Sequence, residues 1–438
     1  MLSSGSTDAP ATVVAAPGRG RVVLVLVFAF LGTLFDGAEL NLVGYPMAYI
    51  ADSLRVGTVE LIQVTTLQGL ASIVGGLLCG WLGDRYGRRW TYTGSVLIFG
   101  IAAVLGGLAP NYALFLVTRL VAGVGMGGLF GLAFAMFAEY WTTSRRGAMG
   151  GAIQAMYFAG QMVTVGIVYF CTAQFGEALG WRGGYVVIGA ATLVIGALAA
   201  FLLPESRHWL HYRAELAAGR VPEELRPAKV PLGELFRRDH VRGTLLFIVL
   251  ASAMFLTTNS MIAYLTTFLV RVQKVPLGTA SVIVLLTSLV TAVTYPLTGA
   301  LSDVTNRRRA VFLSSLVGVA GFGWLMVLVL TGSAHVGATF WVDQTFWAIM
   351  LCAAGSGGFG VLGVWMAEYF PTRIRSAGSN TSYYAGRGLG AGLFPLAALS
   401  IGGSVSVALA LGVVGPILCA LFAFTVPDRT GRTIHAIE

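Results

Sequence analysis

Charged residues are scarce in this sequence. Of its 438 residues, 11% are charged and 56% are apolar, whereas about 25% of the residues in a soluble globular chain are charged. Uncharged runs at 61–83, 91–118 and 243–270 each exceed the roughly 20 residues that a membrane-spanning helix needs. This composition excludes a soluble enzyme, a nucleic-acid-binding domain and a disordered protein.

Cysteine and histidine are also scarce, which bears on catalysis. The four cysteines stand in apolar segments without a pairing pattern, and the five histidines fall in predicted loops or tails. A membrane-embedded enzyme needs a nucleophile with its base, or a cluster of metal ligands, and the sequence offers neither. We therefore expect no catalytic residue, no metal and no cofactor.

The apolar runs predict an all-α integral membrane protein. They are too long and too uniformly apolar for barrel strands, and a helix satisfies its backbone hydrogen bonds within the segment. Twelve transmembrane helices are predicted, at 22–50, 59–83, 91–109, 112–140, 147–172, 183–203, 243–270, 278–302, 310–331, 342–369, 376–400 and 404–426.

The basic residues predict the orientation. With the N-terminus inside, 22 of the 28 lysines and arginines fall on the cytoplasmic side and four fall outside, as the positive-inside rule requires. The net charge of +9 is then explained by basic loops and not by a nucleic-acid partner. We expect a multi-pass protein of a bacterial inner membrane, with both termini cytoplasmic.

The two halves of the chain repeat each other. The string GWLGDRYGRR at 80–89 matches GALSDVTNRR at 299–308, and the Ala-Glu-Tyr triplet at 138–140 returns at 367–369. Internal repeats of this kind are typical of transporters. They predict two pseudo-symmetric six-helix bundles around a central cavity, over 21–204 and 243–427. A cytoplasmic linker over 205–242 and tails over 1–20 and 428–438 complete the chain, and the first tail is expected to be disordered.

The segment around Asp84 resembles the loop signature of the major facilitator superfamily, and the segment around Asp303 resembles its degenerate second copy. The resemblance extends over nearly the whole chain. It implies that the bundles rock about a central site in alternating access and that these loops clamp a cytoplasmic gate. Eight residues are accordingly predicted to act in gating: Asp84, Arg85, Arg88, Glu139, Arg146, Asp303, Glu368 and Arg375.

Four charges inside the predicted helices have no counterpart in the other half: Asp36, Glu39, Arg119 and Arg387. Intramembrane charges mark functional sites by default. Asp36 lies about 21 Å from the inner surface and Arg119 about 12 Å from the outer surface, so their heights nearly coincide in a core about 30 Å thick. We predict that Asp36 pairs with Arg119, that Glu39 shares the helix face of Asp36, and that these three residues couple proton movement.

Arg387 lies about 16 Å from the inner surface at the same rise per residue. Because Asp36 is predicted to pair with Arg119, Arg387 is available for a substrate. A buried arginine binds a carboxylate through two parallel hydrogen bonds. Other polar side chains at suitable depth are candidate substrate contacts, although interhelical hydrogen bonding explains each of them equally well. They are Asn41, Gln63, Gln154, Tyr157, Gln161, Asn259, Tyr264, Tyr295, Tyr383 and Tyr384. Of these, the predicted substrate contacts are Asn259, Tyr264, Gln154, Gln161 and Tyr384.

The DGAE string at 36–39 and the segment 371–387 resemble the aromatic-acid and sialate-type proton symporters, with Glu39 in place of an Asp. The resemblance implies proton-coupled import of a small organic carboxylate, and we expect the protein to act as a monomer. Two alternatives stay open. One is a proton-independent anion facilitator or exchanger, and the other is a proton-coupled sugar porter, although the seventh predicted helix lacks the paired glutamines of sugar porters.

Overall fold

The computed structural model describes residues 18–141, 145–221, 233, 235–337 and 339–428. These residues are predominantly helical, and none of them lies in a strand. Most of the predicted tail over 1–20, nearly all of the tail over 428–438 and part of the predicted linker over 205–242 fall outside the described residues.

Twelve helical spans, named α1 to α12, follow one another along the described residues. The first six are α1 (Arg19–Gly44), α2 (Thr58–Tyr86), α3 (Arg88–Gly107), α4 (Tyr112–Met126 and Leu129–Tyr140), α5 (146–175) and α6 (177–202). The second six are α7 (Arg238–Thr267, then Phe268–Val272), α8 (Leu277–Val304), α9 (Arg307–Leu330), α10 (Gln344–Gly355, Ser356–Gly358 and Phe359–Tyr369), α11 (Arg375–Arg387, Gly388–Leu393 and Phe394–Gly402) and α12 (Val405–Ala410, Leu411–Val413 and Val414–Phe422). Short helices at Met47–Leu54 and Arg207–Ala217 lie between spans.

The spans differ from the predicted ones at identifiable points. The first predicted helix ends early, at Gly44, just before Pro46, which has no N–H to continue the helix. The loop predicted at 173–182 is helical apart from Gly176, whose φ of 76° turns α5 into α6 in a conformation that favours glycine. The spans α4, α10 and α11, predicted as continuous, are each interrupted near the middle.

The first six spans pack mainly on one another, as do the last six, and the halves meet where α2 packs on α11 and α5 packs on α8. At the α5–α8 crossing, a Cβ on Gly147 would lie 2.3 Å from the carbonyl oxygen of Gly299, and a Cβ on Gly299 would lie 2.1 Å from that of Gly147. Only glycine allows helices to approach this closely in a membrane. The crossing therefore brings the two halves into backbone contact.

The helix ends around Arg88, Arg146, Arg307 and Arg375 are joined by the contacts described below, and we call this the basic end of the molecule. The short helix Arg207–Ala217 begins there. Its Trp209 indole N–H donates to the carbonyl oxygen of Asp84 at 2.8 Å. The predicted linker thus contributes a helix that packs beside the loop signature.

Candidate functional site

The two loop aspartates join the halves at the basic end. Asp84, near the end of α2, accepts hydrogen bonds from the N–H groups of residues 376–377 in the first turn of α11, at 3.2 and 2.8 Å. Asp303, near the end of α8, accepts them from the N–H groups of residues 147–148 in the first turn of α5, at 2.7 and 2.9 Å. A helix N-terminus has unpaired N–H groups and a partial positive charge. Each aspartate therefore caps a helix of the opposite half.

Two glutamates hold arginines beside these caps. Glu139 accepts a hydrogen bond from Arg375 of the other half at 2.6 Å and another from Arg88 of its own half. Glu368 accepts two from Arg307, at 2.9 and 3.0 Å. All five side chains are buried, and removing one partner of a buried ion pair costs about 3–5 kcal/mol. The halves are consequently closed against each other at the basic end.

The predicted gating residues do not all join this network. Arg85 is exposed and packs against the ring of Trp81, 5.6 Å from its centroid. Arg146 donates to the carbonyl oxygen of Trp141 at 2.9 Å and lies near the network. Arg307 was missed as a gating residue. It follows Asp303 by four positions, as Arg88 follows Asp84, and that spacing could have identified it.

A separate pair of buried charges lies between the halves, away from the basic end. A carboxylate oxygen of Asp36 in α1 is 3.8 Å from a guanidinium nitrogen of Arg387 in α11. Both residues are 7% exposed. This distance is too long for a hydrogen bond, and neither side chain forms a hydrogen bond with any residue that the structure describes. The guanidinium group therefore keeps its hydrogen-bonding capacity for another acceptor.

A narrow cavity adjoins this pair. The buried side-chain oxygen of Gln154 in its wall has no hydrogen-bond partner in the described part of the chain. The side-chain nitrogen of Gln154 lies 3.5 Å from the hydroxyl of Tyr383. The guanidinium carbon of Arg387 lies 5.9 Å from the centroid of the Tyr384 ring. The cavity is lined by Gly32, Thr33, Asp36, Leu129, Phe130, Ala133, Gln154 and Tyr383.

The predicted pairing of Asp36 with Arg119 is wrong. Arg119 forms its ion pair with Glu39, and its other guanidinium nitrogen donates to the carbonyl oxygen of Ala102 at 2.9 Å. Gln68 donates to the second oxygen of Glu39 at 2.7 Å. Glu39 and Arg119 have no exposed surface, and the whole group belongs to the first half. Arg387, which the predicted Asp36–Arg119 pair would have left for a substrate, faces Asp36.

Helix rotation explains the difference. Residues three apart are turned by about 60° relative to each other and differ in height by about 4.5 Å. Asp36 thereby points towards α11, whereas Glu39 points towards α2 and α4. Depth arithmetic along each helix places these charges at similar heights but does not give their directions.

We expect Glu39→Gln to destabilise the protein because it leaves the buried Arg119 without its counter-ion. Breaking a buried pair costs about 3–5 kcal/mol, so the detergent-solubilised variant should melt well below the parent. Asp36→Asn, which alters a looser pair beside a cavity, is the control and should melt near the parent. Equal melting temperatures for Glu39→Gln and the parent would contradict the assignment of Glu39 and Arg119 as a structural pair.

The candidate substrate contacts fall in different places. Gln154 lines the cavity, whereas the Asn259 amide donates to the carbonyl oxygen of Phe255 in its own helix at 3.0 Å. Tyr264 packs in an apolar cluster of the second half, and Gln161 is half-buried and does not line the cavity. Tyr384 is fully buried and donates its hydroxyl proton to a carbonyl oxygen of α4.

Tyr383 lines the cavity; it was among the polar side chains at suitable depth but not among the predicted substrate contacts. Its ring stacks on that of Phe130, with centroids 3.5 Å apart. It precedes Arg387 by four positions, and residues four apart lie on the same face of a helix. That spacing was the available signal.

Two like helical halves, closed at one end, with a buried charged pair and a narrow cavity between them, are the layout of a membrane transporter. A family model described as Major Facilitator Superfamily matches residues 29–342, well over half of the chain. The protein belongs to the major facilitator superfamily.

The relatives and solved structures agree with this assignment. The chain is 29% identical over 394 residues to the cis,cis-muconate transport protein of Acinetobacter baylyi, covering 87% of this chain and 88% of that protein. It is 27% identical over 421 residues to the 3-(3-hydroxy-phenyl)propionate transporter of Escherichia coli, covering 94% and 96%. The fold is similar to that of the proton:xylose symporter XylE bound to 6-bromo-6-deoxy-D-glucose, with a TM-score of 0.78 and 18% identity over 94% of this chain and 98% of that one. The chain is a multi-pass membrane transporter of metabolites and not an enzyme.

Proposed function

We propose that the protein is a secondary active transporter that imports a small organic carboxylate together with a proton. The observation that carries the proposal is the Asp36–Arg387 contact, in which an arginine lies 3.8 Å from a carboxylate that lines a narrow cavity between the halves. A second carboxylate, supplied by a substrate, can replace that of Asp36 because arginine binds carboxylates through parallel hydrogen bonds. The names of two relatives, which are transporters of organic acids, support this substrate class.

The coupling follows from charge balance. When the site is empty, Arg387 is neutralised by Asp36. When a carboxylate binds Arg387, Asp36 loses its counter-ion and an ionised Asp36 becomes costly in a buried site. Protonation of Asp36 removes that cost, so substrate and proton are taken up together. The empty and the doubly loaded states then carry the same net charge, and both can close and reopen. The buried Glu39–Arg119 pair stays neutral throughout and takes no part in proton transfer.

Orientation determines the direction of transport. We propose that the basic end faces the cytoplasm of a bacterial cell, since basic residues accumulate on the inner side. With the basic end closed, the substrate can reach the site only from the opposite end. In the doubly loaded protein, the Asp84 and Asp303 caps release and the substrate leaves at the basic end.

An uptake screen tests the substrate class. Labelled cis,cis-muconate, 3-(3-hydroxyphenyl)propionate, sialic acid and xylose are offered to proteoliposomes with and without an inwardly directed proton gradient. The proposal predicts that at least one acid accumulates only with the gradient and that xylose does not accumulate. Gradient-independent exchange of the acids would support an anion exchanger, and accumulation of xylose would support a sugar porter.

We expect Asp84→Asn to bind substrate normally and to transport it slowly. Asparagine removes the negative charge that caps the first turn of α11, while the substrate cavity is unaltered. A hydrogen bond to a charged group contributes about 1.5–3 kcal/mol, so turnover should fall by at least ~10-fold. Asp303→Asn removes the matching cap and should behave alike. Saturation binding and initial uptake rates are measured on each variant, and a lost affinity with unchanged turnover would contradict the gating assignment.

A further inference from the structure

The helix α4 is interrupted, and backbone groups at the interruption are hydrogen-bonded by the opposite half. α4 stops at Met126 and resumes at Leu129. Backbone groups at the ends of helical segments need partners from elsewhere. Two backbone groups at this interruption, the carbonyl oxygen of Met126 and the N–H of Gly131, are hydrogen-bonded by side chains of the opposite half.

Both partners belong to α11. The Tyr384 hydroxyl donates to the carbonyl oxygen of Met126, and the side-chain oxygen of Asn380 accepts from the N–H of Gly131 at 2.7 Å. Asn380 and Tyr384 have no exposed surface and lie one turn apart on the same helix face. A Cβ on Gly131 would lie 2.6 Å from the Asn380 oxygen, so the approach depends on glycine. We call these two hydrogen bonds the α4 clasp.

The same face of α11 carries contacts on either side of the α4 clasp. Just before Asn380, the N–H groups of residues 376–377 donate hydrogen bonds to the carboxylate of Asp84. Three positions after Tyr384, the side chain of Arg387 faces Asp36. Successive turns of one helix therefore contact α2, α4 and α1 of the opposite half, from the gate to the substrate cavity. Because a short helix moves as a stiff body, release at one point strains the contacts at the others.

The matching interruption of α10 is closed from within its own half. The turn Ser356–Gly358 lies 229 positions beyond the interruption of α4. Ser314 of α9 donates to the carbonyl oxygen of Gly355 at 3.0 Å and accepts from the N–H of Gly358 at 2.8 Å. Movement between the halves leaves these bonds intact, whereas the same movement must break the α4 clasp. The asymmetry marks α4, and not α10, as the helix whose backbone depends on closure.

The turn of α11 that carries Asn380 also contains buried polar atoms without partners in the described residues. The Ser379 hydroxyl and the Asn380 amide nitrogen are buried, and neither has a hydrogen-bond partner in the described portion of the chain. Buried polar groups without partners oppose the state that buries them. Separation of the halves would hydrate both groups, so the α4 clasp holds a closed state that otherwise tends to open.

We propose that Asn380 and Tyr384 are positioning residues that transmit the state of the Arg387 site to the gate at the basic end. While Asp36 holds Arg387, α11 lies against α4 and the clasp forms. When Arg387 is released from Asp36, α11 loses its contact beyond the clasp, and the clasp and the Asp84 cap separate together. The release of Arg387 from Asp36 by a substrate rests on the proposed function. The effect of the clasp on the gate rests on the contacts between α4 and α11.

Distances between spin labels at the basic end test the inference. After replacement of the four buried cysteines by alanine, labels are placed on Trp90→Cys at the start of α3 and Val304→Cys at the end of α8, which are 59% and 86% exposed. Tyr384→Phe removes one hydrogen bond of the clasp. It should raise the ratio of open to closed molecules about 5-fold, the effect of a typical hydrogen bond, with no substrate and no proton gradient present.

Tyr92→Phe is the matched control. Its buried hydroxyl donates to the carbonyl oxygen of Phe28 at 2.6 Å, so the variant loses a similar hydrogen bond within one half and should keep the distances of the parent. Asn380→Ala removes the second bond of the clasp and should shift the distances as Tyr384→Phe does, which provides a second variant if Tyr384→Phe does not fold. Asp36→Asn frees Arg387 and should also increase the open fraction.

Distances in Tyr384→Phe and Asn380→Ala that match those of Tyr92→Phe would overturn the role of the clasp. Distances unchanged by Asp36→Asn would overturn the transmission from the Arg387 site. These results are independent of any transported molecule. Shifted distances without carboxylate uptake would therefore refute the proposed function alone, and unshifted distances with Arg387-dependent uptake would refute the clasp alone.

Discussion

Arg387→Ala is expected to abolish detectable carboxylate binding, and Arg387→Lys is expected to restore it only in part. Hydrogen bonds to charged groups contribute about 1.5–3 kcal/mol each, so the loss of the guanidinium group should weaken binding by at least ~10-fold. Lysine keeps the charge but lacks the planar pair of donors. Calorimetric titration of the purified variants with the acid that the uptake screen identifies measures both effects.

A double variant separates this role from a purely structural one. If Arg387 serves only to neutralise Asp36, which lies 3.8 Å away, then removing both charges in Asp36→Asn with Arg387→Ala should restore binding. If Arg387 holds the substrate carboxylate, the double variant should bind no better than Arg387→Ala. Restored affinity in the double variant would contradict the anchor assignment.

Asp36→Asn is expected to abolish accumulation driven by a proton gradient and to leave exchange of substrate across the membrane. The asparagine carries no titratable proton, so binding at Arg387 no longer takes up a proton with the substrate. Counterflow in proteoliposomes without a gradient measures exchange, and uptake with an imposed pH difference measures coupling. Accumulation at the level of the parent would exclude Asp36 as the proton acceptor.

The two gate variants, Asp84→Asn and Asp303→Asn, serve as the reference for this experiment. Asp84→Asn and Asp303→Asn should slow both exchange and gradient-driven uptake, because they alter the gate and not the proton site. Asp36→Asn should lower only the gradient-driven uptake and leave exchange unchanged. A parallel loss of both activities in Asp36→Asn would contradict the assignment of Asp36 as the proton acceptor.

Features repeated in both halves were predictable from the sequence. The strings around Asp84 and Asp303 identified matching helix ends in the two halves, and the structure gives both aspartates the same capping role. The membrane class and the number of spans followed from uncharged runs alone. These inferences succeed because each rests on length, composition or repetition along one chain.

The partners of individual buried charges were not predictable in the same way. Asp36 and Glu39 face directions that differ by about 60° around the helix axis, and the sequence gives no measure of that direction without the packed neighbours. The interruption of α4 at Met126 escaped notice because glycine-rich apolar segments also fit a continuous span. The polar stretch of α11 around Asn380 fits a membrane helix only because the opposite half covers it.

Proton uptake on binding is the most direct test of the coupling between Asp36 and Arg387. The heat of carboxylate binding is measured near neutral pH in buffers that differ in their enthalpy of ionisation, which gives the number of protons taken up per substrate bound. The account predicts uptake of about one proton by the parent, as linkage requires when one group becomes protonated, and none by Asp36→Asn. Tight binding by the parent with no dependence on the buffer would contradict the account.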